Sequence, residues 1–168
     1  KIYSELITEN INDLWYIYYL RGICYEQSDK WAKAELDFLQ SLKIKRDSPN
    51  VLNYLAYGWI ERDIRIDESF VMLTDAYNAN PDSHYILDSL AWAYFKKKDY
   101  IKAAELMEEV IDMVPGEAIS LDHLGDIYFA MNRKREAFYF WRQAKDLAKP
   151  EDEIIDNIEK KLREYDAG

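Results

Sequence analysis

The stretch His84–Glu117, HYILDSLAWAYFKKKDYIKAAELMEEVIDMVPGE, decides how the chain folds. Small residues stand at Ala91 and Ala103, with Val110 at a third such place. Large apolar residues stand at Tyr94 and Met107, and Pro115 follows the second helical run. The same series recurs outward in both directions. Ala91 is preceded by Gly22 and Ala56 and followed by Gly125; the steps are 34, 35 and 34 residues. A second small series holds step at Ala34, Ser69, Ala103 and Ala137, and a third at Ser41, Ala76, Val110 and Ala144. Large residues keep phase at Tyr25, Trp59, Tyr94 and Tyr128, and again at Phe38, Leu73, Met107 and Trp141. Phase-locked small and large positions are what a stack of helical hairpins requires. Small residues sit where two helices come closest, and large ones fill the space between hairpins.

These positions resemble the tetratricopeptide repeat. Repeat one offers Tyr18, Gly22, Tyr25, Ala34, Phe38 and Ser41. Repeat two offers Leu52, Leu55, Ala56, Trp59, Ser69, Leu73, Ala76 and Pro81, with one extra residue in its loop at Glu61–Ile66. Repeat three matches best, through Leu87, Leu90, Ala91, Tyr94, Ala103, Met107 and Pro115. Repeat four gives Leu121, Leu124, Gly125, Tyr128, Ala137, Trp141 and Ala144. Arg21 stands where a leucine is usual, and Arg46 where a proline is usual. The resemblance implies an all-α fold, a right-handed α-solenoid of stacked helix-turn-helix hairpins in one domain. Residues 1–14 would be the second helix of a preceding repeat, through Tyr3, Leu6, Ile7 and Ile11. The four repeats would cover residues 15–48, 49–83, 84–117 and 118–151, and residues 152–168 would be a C-terminal capping helix. Nine helices and no strand are expected, with helix starts near the N-cap residues Asp29, Asp67, Asp99 and Asn132. The capping helix carries the apolar stripe Ile154, Ile155, Ile158 and Leu162. The array is expected to end there and to extend upstream of Lys1, which is not an initiator methionine. Repeats two to four also resemble the C-terminal repeats of larger bacterial tetratricopeptide proteins, several of them envelope-associated, some of them adaptors that hold a processing protease. Bacterial cytoplasm and cell envelope or periplasm both remain open as compartments.

Composition narrows the function classes. The chain is 49% hydrophobic and 15% aromatic over 168 residues, enough to bury a continuous core. No apolar run approaches the roughly 20 residues of a membrane-spanning helix, so no direct membrane insertion is expected. A net charge of −10 and a pI near 4.7 argue against nucleic acid as a partner. The single cysteine, Cys24, excludes an internal disulfide; beside Gly22 and Tyr25 on a helix it reads as a buried, inert thiol. There is no glycine-rich phosphate loop, zincin motif or paired-cysteine spacing, and no cofactor is expected. One polar cluster, Asp122, His123 and Asp126 with Asp88 one repeat away, admits a divalent metal as a distant alternative to a solvated groove wall. His84 starts a helix and reads as a surface residue.

The resemblance places function on the first helix of each hairpin. Carried over by position, the partner-binding residues are Tyr16, Tyr19, Ile23 and Glu26, then Asn53, Tyr54, Tyr57 and Glu61, then Asp88, Ser89, Trp92 and Lys96, and finally Asp122, His123 and Asp126. That surface would be aromatic in its first half and acidic in its second. Each ring could equally pack into the core, because sequence does not fix helix rotation to one residue. Some tetratricopeptide domains grip the C-terminal carboxylate of heat-shock chaperones with basic side chains. The matching positions here hold Tyr19, Ile23, Tyr54, Tyr85 and Ser89, so that clamp is not expected. The turns inside the hairpins carry Lys30, Arg62, Arg65, Lys96, Lys97, Lys98, Arg133, Lys134 and Arg135, either as a basic edge or as local complements to helix C-termini. The expected function is a non-enzymatic adaptor that binds another protein through a basic or amphipathic segment. The alternatives are a self-associating or intrachain scaffold, with a homo-oligomer possible, and more distantly a metal-dependent enzyme.

The repeat register makes a direct prediction. Ala91→Leu forces two helices apart and is expected to cost about 1–3 kcal/mol or more; thermal melting checks it, and an unchanged Tm would refute the register.

Overall fold

The computed structural model describes residues 13–150 and 154–166. The helix expected from Tyr3, Leu6, Ile7 and Ile11 lies outside them. Nine α-helices and no strand occur among the described residues. They fall into two compact units that divide after Pro81. The first unit holds α1 (Leu14–Glu26), α2 (Trp31–Ile44), α3 (Pro49–Glu61) and α4 (Ile66–Ala79). The second holds α5 (His84–Lys96), α6 (Tyr100–Met113), α7 (Ala118–Ala130), α8 (Lys134–Leu147) and α9 (Ile155–Asp166). Pairs α1/α2, α3/α4, α5/α6 and α7/α8 are the most extensively packed, so each is a helical hairpin.

The small-residue series lies in the buried interior of the hairpins. Ala56, Ala91, Ala34, Ala103, Ala137, Ala76 and Ala144 are fully buried. A methyl group at Gly22 would stand 2.6 Å from Phe38 Cε1, and one at Gly125 would stand 2.3 Å from Trp141 Cδ1. Those distances leave no room for a side chain, so glycine at 22 and 125 is fixed by the ring that crosses over it. Phe38, Leu73, Met107 and Trp141 are buried on the facing helices.

The turns inside the hairpins share one backbone device. In each, an amide five residues on bonds back to a carbonyl: Lys30 to Tyr25 at 2.8 Å, Ile64 to Trp59 at 3.0 Å, Asp99 to Tyr94 at 3.0 Å and Arg133 to Tyr128 at 2.9 Å. The residue before each donor is left-handed: Asp29 (φ 53°), Asp63 (φ 53°), Lys98 (φ 66°) and Asn132 (φ 60°). This is the Schellman closure, in which a left-handed residue lets the last carbonyls of the first helix be satisfied. The helices start within two residues of the expected places, at Trp31, Ile66, Tyr100 and Lys134, but the expected N-caps are corrected. Asp29 and Asn132 are not N-caps; they take the left-handed position, which asparagine and aspartate tolerate better than most residues. The caps that follow them are Lys30 and Arg133. Asp67 lies in the first turn of α4, whose N-cap is Arg65. Only Asp99 caps as expected, accepting from the Lys102 amide at 3.2 Å. Cys24 is also corrected: it is exposed, on the side of α1 turned away from the Gly22 crossing, and its carbonyl accepts from Ser28 Oγ at 2.7 Å.

Arg21, the departure from the repeat pattern, is answered inside its own hairpin. Its Nε and Nη2 donate to Asp37 Oδ2 and Oδ1, both at 2.6 Å. Asp37 lies on α2 and its side chain is only 7% exposed. The guanidinium also lies 5.5 Å from the Tyr18 ring and 5.7 Å from the Tyr25 ring. The carboxylate raises the arginine pKa further by hydrogen bonding. Arg21→Leu would leave Asp37 buried without this partner and is expected to cost roughly 2 kcal/mol or more. Arg21→Leu with Asp37→Leu should recover at least half of that loss. Chemical denaturation of both variants checks it; a double variant no more stable than the single would refute a two-member pair.

Candidate polypeptide-binding surfaces

In the first unit, aromatic rings climb from the core to one face of α1 and α3. Phe38 is fully buried and Tyr19 is 9% exposed, whereas Tyr54 is 36% and Tyr16 45% exposed. Neighbouring rings touch throughout. Tyr16 and Tyr19 lie 6.0 Å apart between centroids, Tyr19 and Tyr54 5.5 Å edge to face, and Tyr54 and Phe38 5.8 Å. Burial pushes the Tyr19 phenol up to about 12. Spacing explains the face: Tyr16, Tyr19 and Ile23 fall three and four apart on α1, and Asn53 and Tyr57 four apart on α3. Ile23, Asn53 and Tyr57 are half-buried. The Asn53 side-chain oxygen is buried without a hydrogen-bond partner.

The second unit places the remaining site residues differently. Asp88, Ser89, Trp92, Asp122 and His123 are all buried. His123 Nδ1 lies 3.1 Å from Asp88 Oδ1, and Ser120 Oγ lies 2.6 Å from Asp88 Oδ2 and 2.9 Å from Glu117 Oε2. Trp92 stacks on the His123 ring at 4.1 Å and 14° and on Phe95 at 4.4 Å and 12°. Ser89 Oγ donates to its own helix, to the Tyr85 carbonyl at 3.0 Å. This arrangement fixes α7 to α5. It does not form a nucleophilic site, because the Ser120 proton goes to a carboxylate and not to the imidazole. The open acidic wall expected from Asp122 and Asp126 is covered as well. Lys161 of α9 lies 2.8 Å from Asp122 Oδ1 and 2.7 Å from Asp126 Oδ1. Trp141 Nε1 donates to Asp126 Oδ1 at 2.9 Å. Burial raises the Asp122 pKa, and Lys161 opposes that rise. Among the described residues no group of three or more histidine, cysteine, aspartate or glutamate side chains is arranged to hold a metal ion.

Several basic turn residues lie over aromatic faces of their own unit. Arg62 is 4.2 Å from the Trp31 ring, Arg65 4.7 Å from Trp59 and Arg133 4.0 Å from Tyr128. Arg65 also pairs with Glu68 at 3.2 Å and Arg133 with Glu136 at 3.1 Å. These cations serve the turns that carry them. No helix among the described residues is long and apolar enough to cross a membrane.

A tetratricopeptide repeat family model matches residues 85–114. A TPR repeat-containing protein of Pseudomonas aeruginosa is 26% identical over 108 residues, covering 64% of this chain. The match spans 18% of that relative's length. Among solved structures, MamA from Desulfovibrio magneticus RS-1 superposes with a TM-score of 0.70 at 19% identity, over 86% of this chain and 81% of that one. MamA of strain AMB-1 gives 0.65 at 19% identity, over 87% and 89%. The fold is that of the tetratricopeptide repeat. The first TPR of Spaghetti (RPAP3), solved with an HSP90 peptide, shares it with a TM-score of 0.59 at 18% identity, over 71% of this chain and 91% of that one.

Within this repeat fold, sequence reading missed Lys161 and Glu108. Lys161 is 39 residues from Asp122, and the repeat pattern says nothing of a helix outside it. Burial, and then the hydrogen bond that Tyr128 donates to Glu108, raise its phenol to about 12. The pKa values of Tyr19 and Tyr128 therefore rise from 10.0 to about 12 on folding. Folding keeps the protonated form, so their contribution is complete below pH 10 and is lost as pH rises towards 12. Denaturant stability should fall across that window, and Tyr128→Phe should flatten the slope. A flat stability profile between pH 10 and 12 would refute the assignment.

Proposed function

We propose that this chain is a non-enzymatic adaptor that holds a basic, amphipathic segment of another polypeptide against the α1/α3 face of its first unit. The carrying observation is the exposure of Tyr16 and Tyr54 on rings that are backed by buried Tyr19 and Phe38. A tyrosine braced from beneath offers large contact area and loses little rotamer freedom when a partner covers it. Ile23 and Tyr57, both half-buried, extend the apolar contact. The net charge of −10 favours a basic segment through long-range attraction. The peptide seated on the first TPR of Spaghetti supports a polypeptide ligand for this fold. In the second unit, Asp88, Ser89, Trp92 and His123 act in this reading as the internal joint between α5 and α7, and Asp122 and Asp126 as the seat of α9.

Selection of a displayed random peptide library on the intact chain tests the reading. Enriched peptides should be rich in lysine, arginine and large aliphatic residues, and should bind more weakly as salt rises. Tyr16→Ala and Tyr54→Ala should each weaken them by roughly 30-fold, about 2 kcal/mol, while the chain keeps its helicity. Equal binding of the same peptides by wild type and both variants would overturn it.

A further inference from the structure

The face of α7 that carries Asp122 and Asp126 is covered by α9, and the cover is uneven. Ile158 is fully buried, but Ile154, Ile155 and Leu162 are only half-buried. Clefts of about 480 and 500 Å³ run beside α9, the first lined by Phe138 and Leu162 among others, the second by Phe129, Trp141 and Tyr165. The seat beneath is built more tightly than the helix that fills it. Lys161 Nζ donates to Asp122 Oδ1 at 2.8 Å, to Asp122 Oδ2 at 2.9 Å and to Asp126 Oδ2 at 2.8 Å. It also lies 5.7 Å from the Trp141 ring, whose Nε1 holds Asp126. The Asp122 side chain is 7% exposed and that of Lys161 16%. Two carboxylates face one ammonium, so the seat keeps a negative charge even when filled, and leaving it empty would strand two poorly hydrated anions side by side.

We propose that this face is a docking site for a lysine-bearing amphipathic helix, and that α9 is its intramolecular occupant, exchangeable with a helix of the same pattern on a partner polypeptide. The pattern is read from α9 itself: an aliphatic residue at Ile158, lysine three places on at Lys161, and a second aliphatic at Leu162. The residual negative charge favours a competitor that carries a further cation near its lysine. This site is separate from the aromatic face of the first unit and uses none of its residues, so either can fail without the other.

The test uses the intact chain and two labelled synthetic peptides: residues 150–168, and the same peptide with Lys161→Ala. Fluorescence anisotropy reads binding to wild-type and Lys161→Ala chains. The Lys161→Ala chain holds its own helix less firmly, so it should bind the lysine peptide at least about tenfold more tightly than the wild-type chain does. The alanine peptide should bind both chains weakly. Adding Asp122→Asn and Asp126→Asn to the Lys161→Ala chain should remove the gain. The Lys161→Ala chain should also melt lower, and saturating lysine peptide should return at least half of the lost Tm. If that variant does not fold alone, return of helicity on adding the lysine peptide is the supporting result, and no return refutes the site. Equal affinity of the two peptides for the Lys161→Ala chain would overturn the lysine seat. A wild-type dimer that the lysine peptide dissociates would assign the seat to a second copy of this chain and overturn a foreign partner.

Discussion

Much in this molecule rests on one steric constraint: at one point in the first and in the last hairpin the two helices pack too closely for an ordinary side chain. At Gly22 and Gly125 the approach leaves no space for a methyl group, because Phe38 and Trp141 lie directly over the backbone. At Ala56 and Ala91 one methyl group is tolerated and is fully buried. The constraint sets the crossing of the hairpin, the crossing sets which residues of the first helix face inward, and that choice decides which residues are left to meet a partner. A core packed to this density answers a misplaced methylene with a shift of whole helices.

The fold was legible because that constraint writes itself into sequence at a fixed period. Three small and two large series in phase fix the hairpins without reference to any distant contact. The details that escaped were those the period does not encode. Asp29 and Asn132 look like N-caps, yet the Schellman closure of the preceding helix has the first claim on them and holds them left-handed. Cys24 was misplaced because one small neighbour, Gly22, does not say which way the next turn of helix points.

The candidate site was legible only in part, for a related reason. Tyr16 and Tyr54 are exposed, but Trp92, which follows its small residue Ala91 as Tyr57 follows Ala56, is turned in, where its ring stacks on His123. That stack depends on a histidine one repeat later, a coincidence of two positions that no single-repeat pattern carries. Lys161 is harder still, since it reaches the acidic pair from beyond the last repeat. Arg21 shows the opposite case: it breaks the pattern, and the break is balanced by Asp37 within the same hairpin.

The polar bonds also tie neighbouring hairpins of one unit together. Trp59 Nε1 of the second hairpin donates to Glu35 of the first at 2.7 Å. Tyr128 of the fourth hairpin reaches Glu108 of the third, and His123 of the fourth reaches Asp88 of the third. A recombination joint placed between α2 and α3, or between α6 and α7, would carry half of each bond into a new context and leave its mate behind. The Arg21–Asp37 bridge, by contrast, travels whole with α1 and α2. Within each compact unit these bonds tie two hairpins together, so the shortest piece that keeps them whole is a pair of hairpins, twice the length of the repeat that the sequence displays.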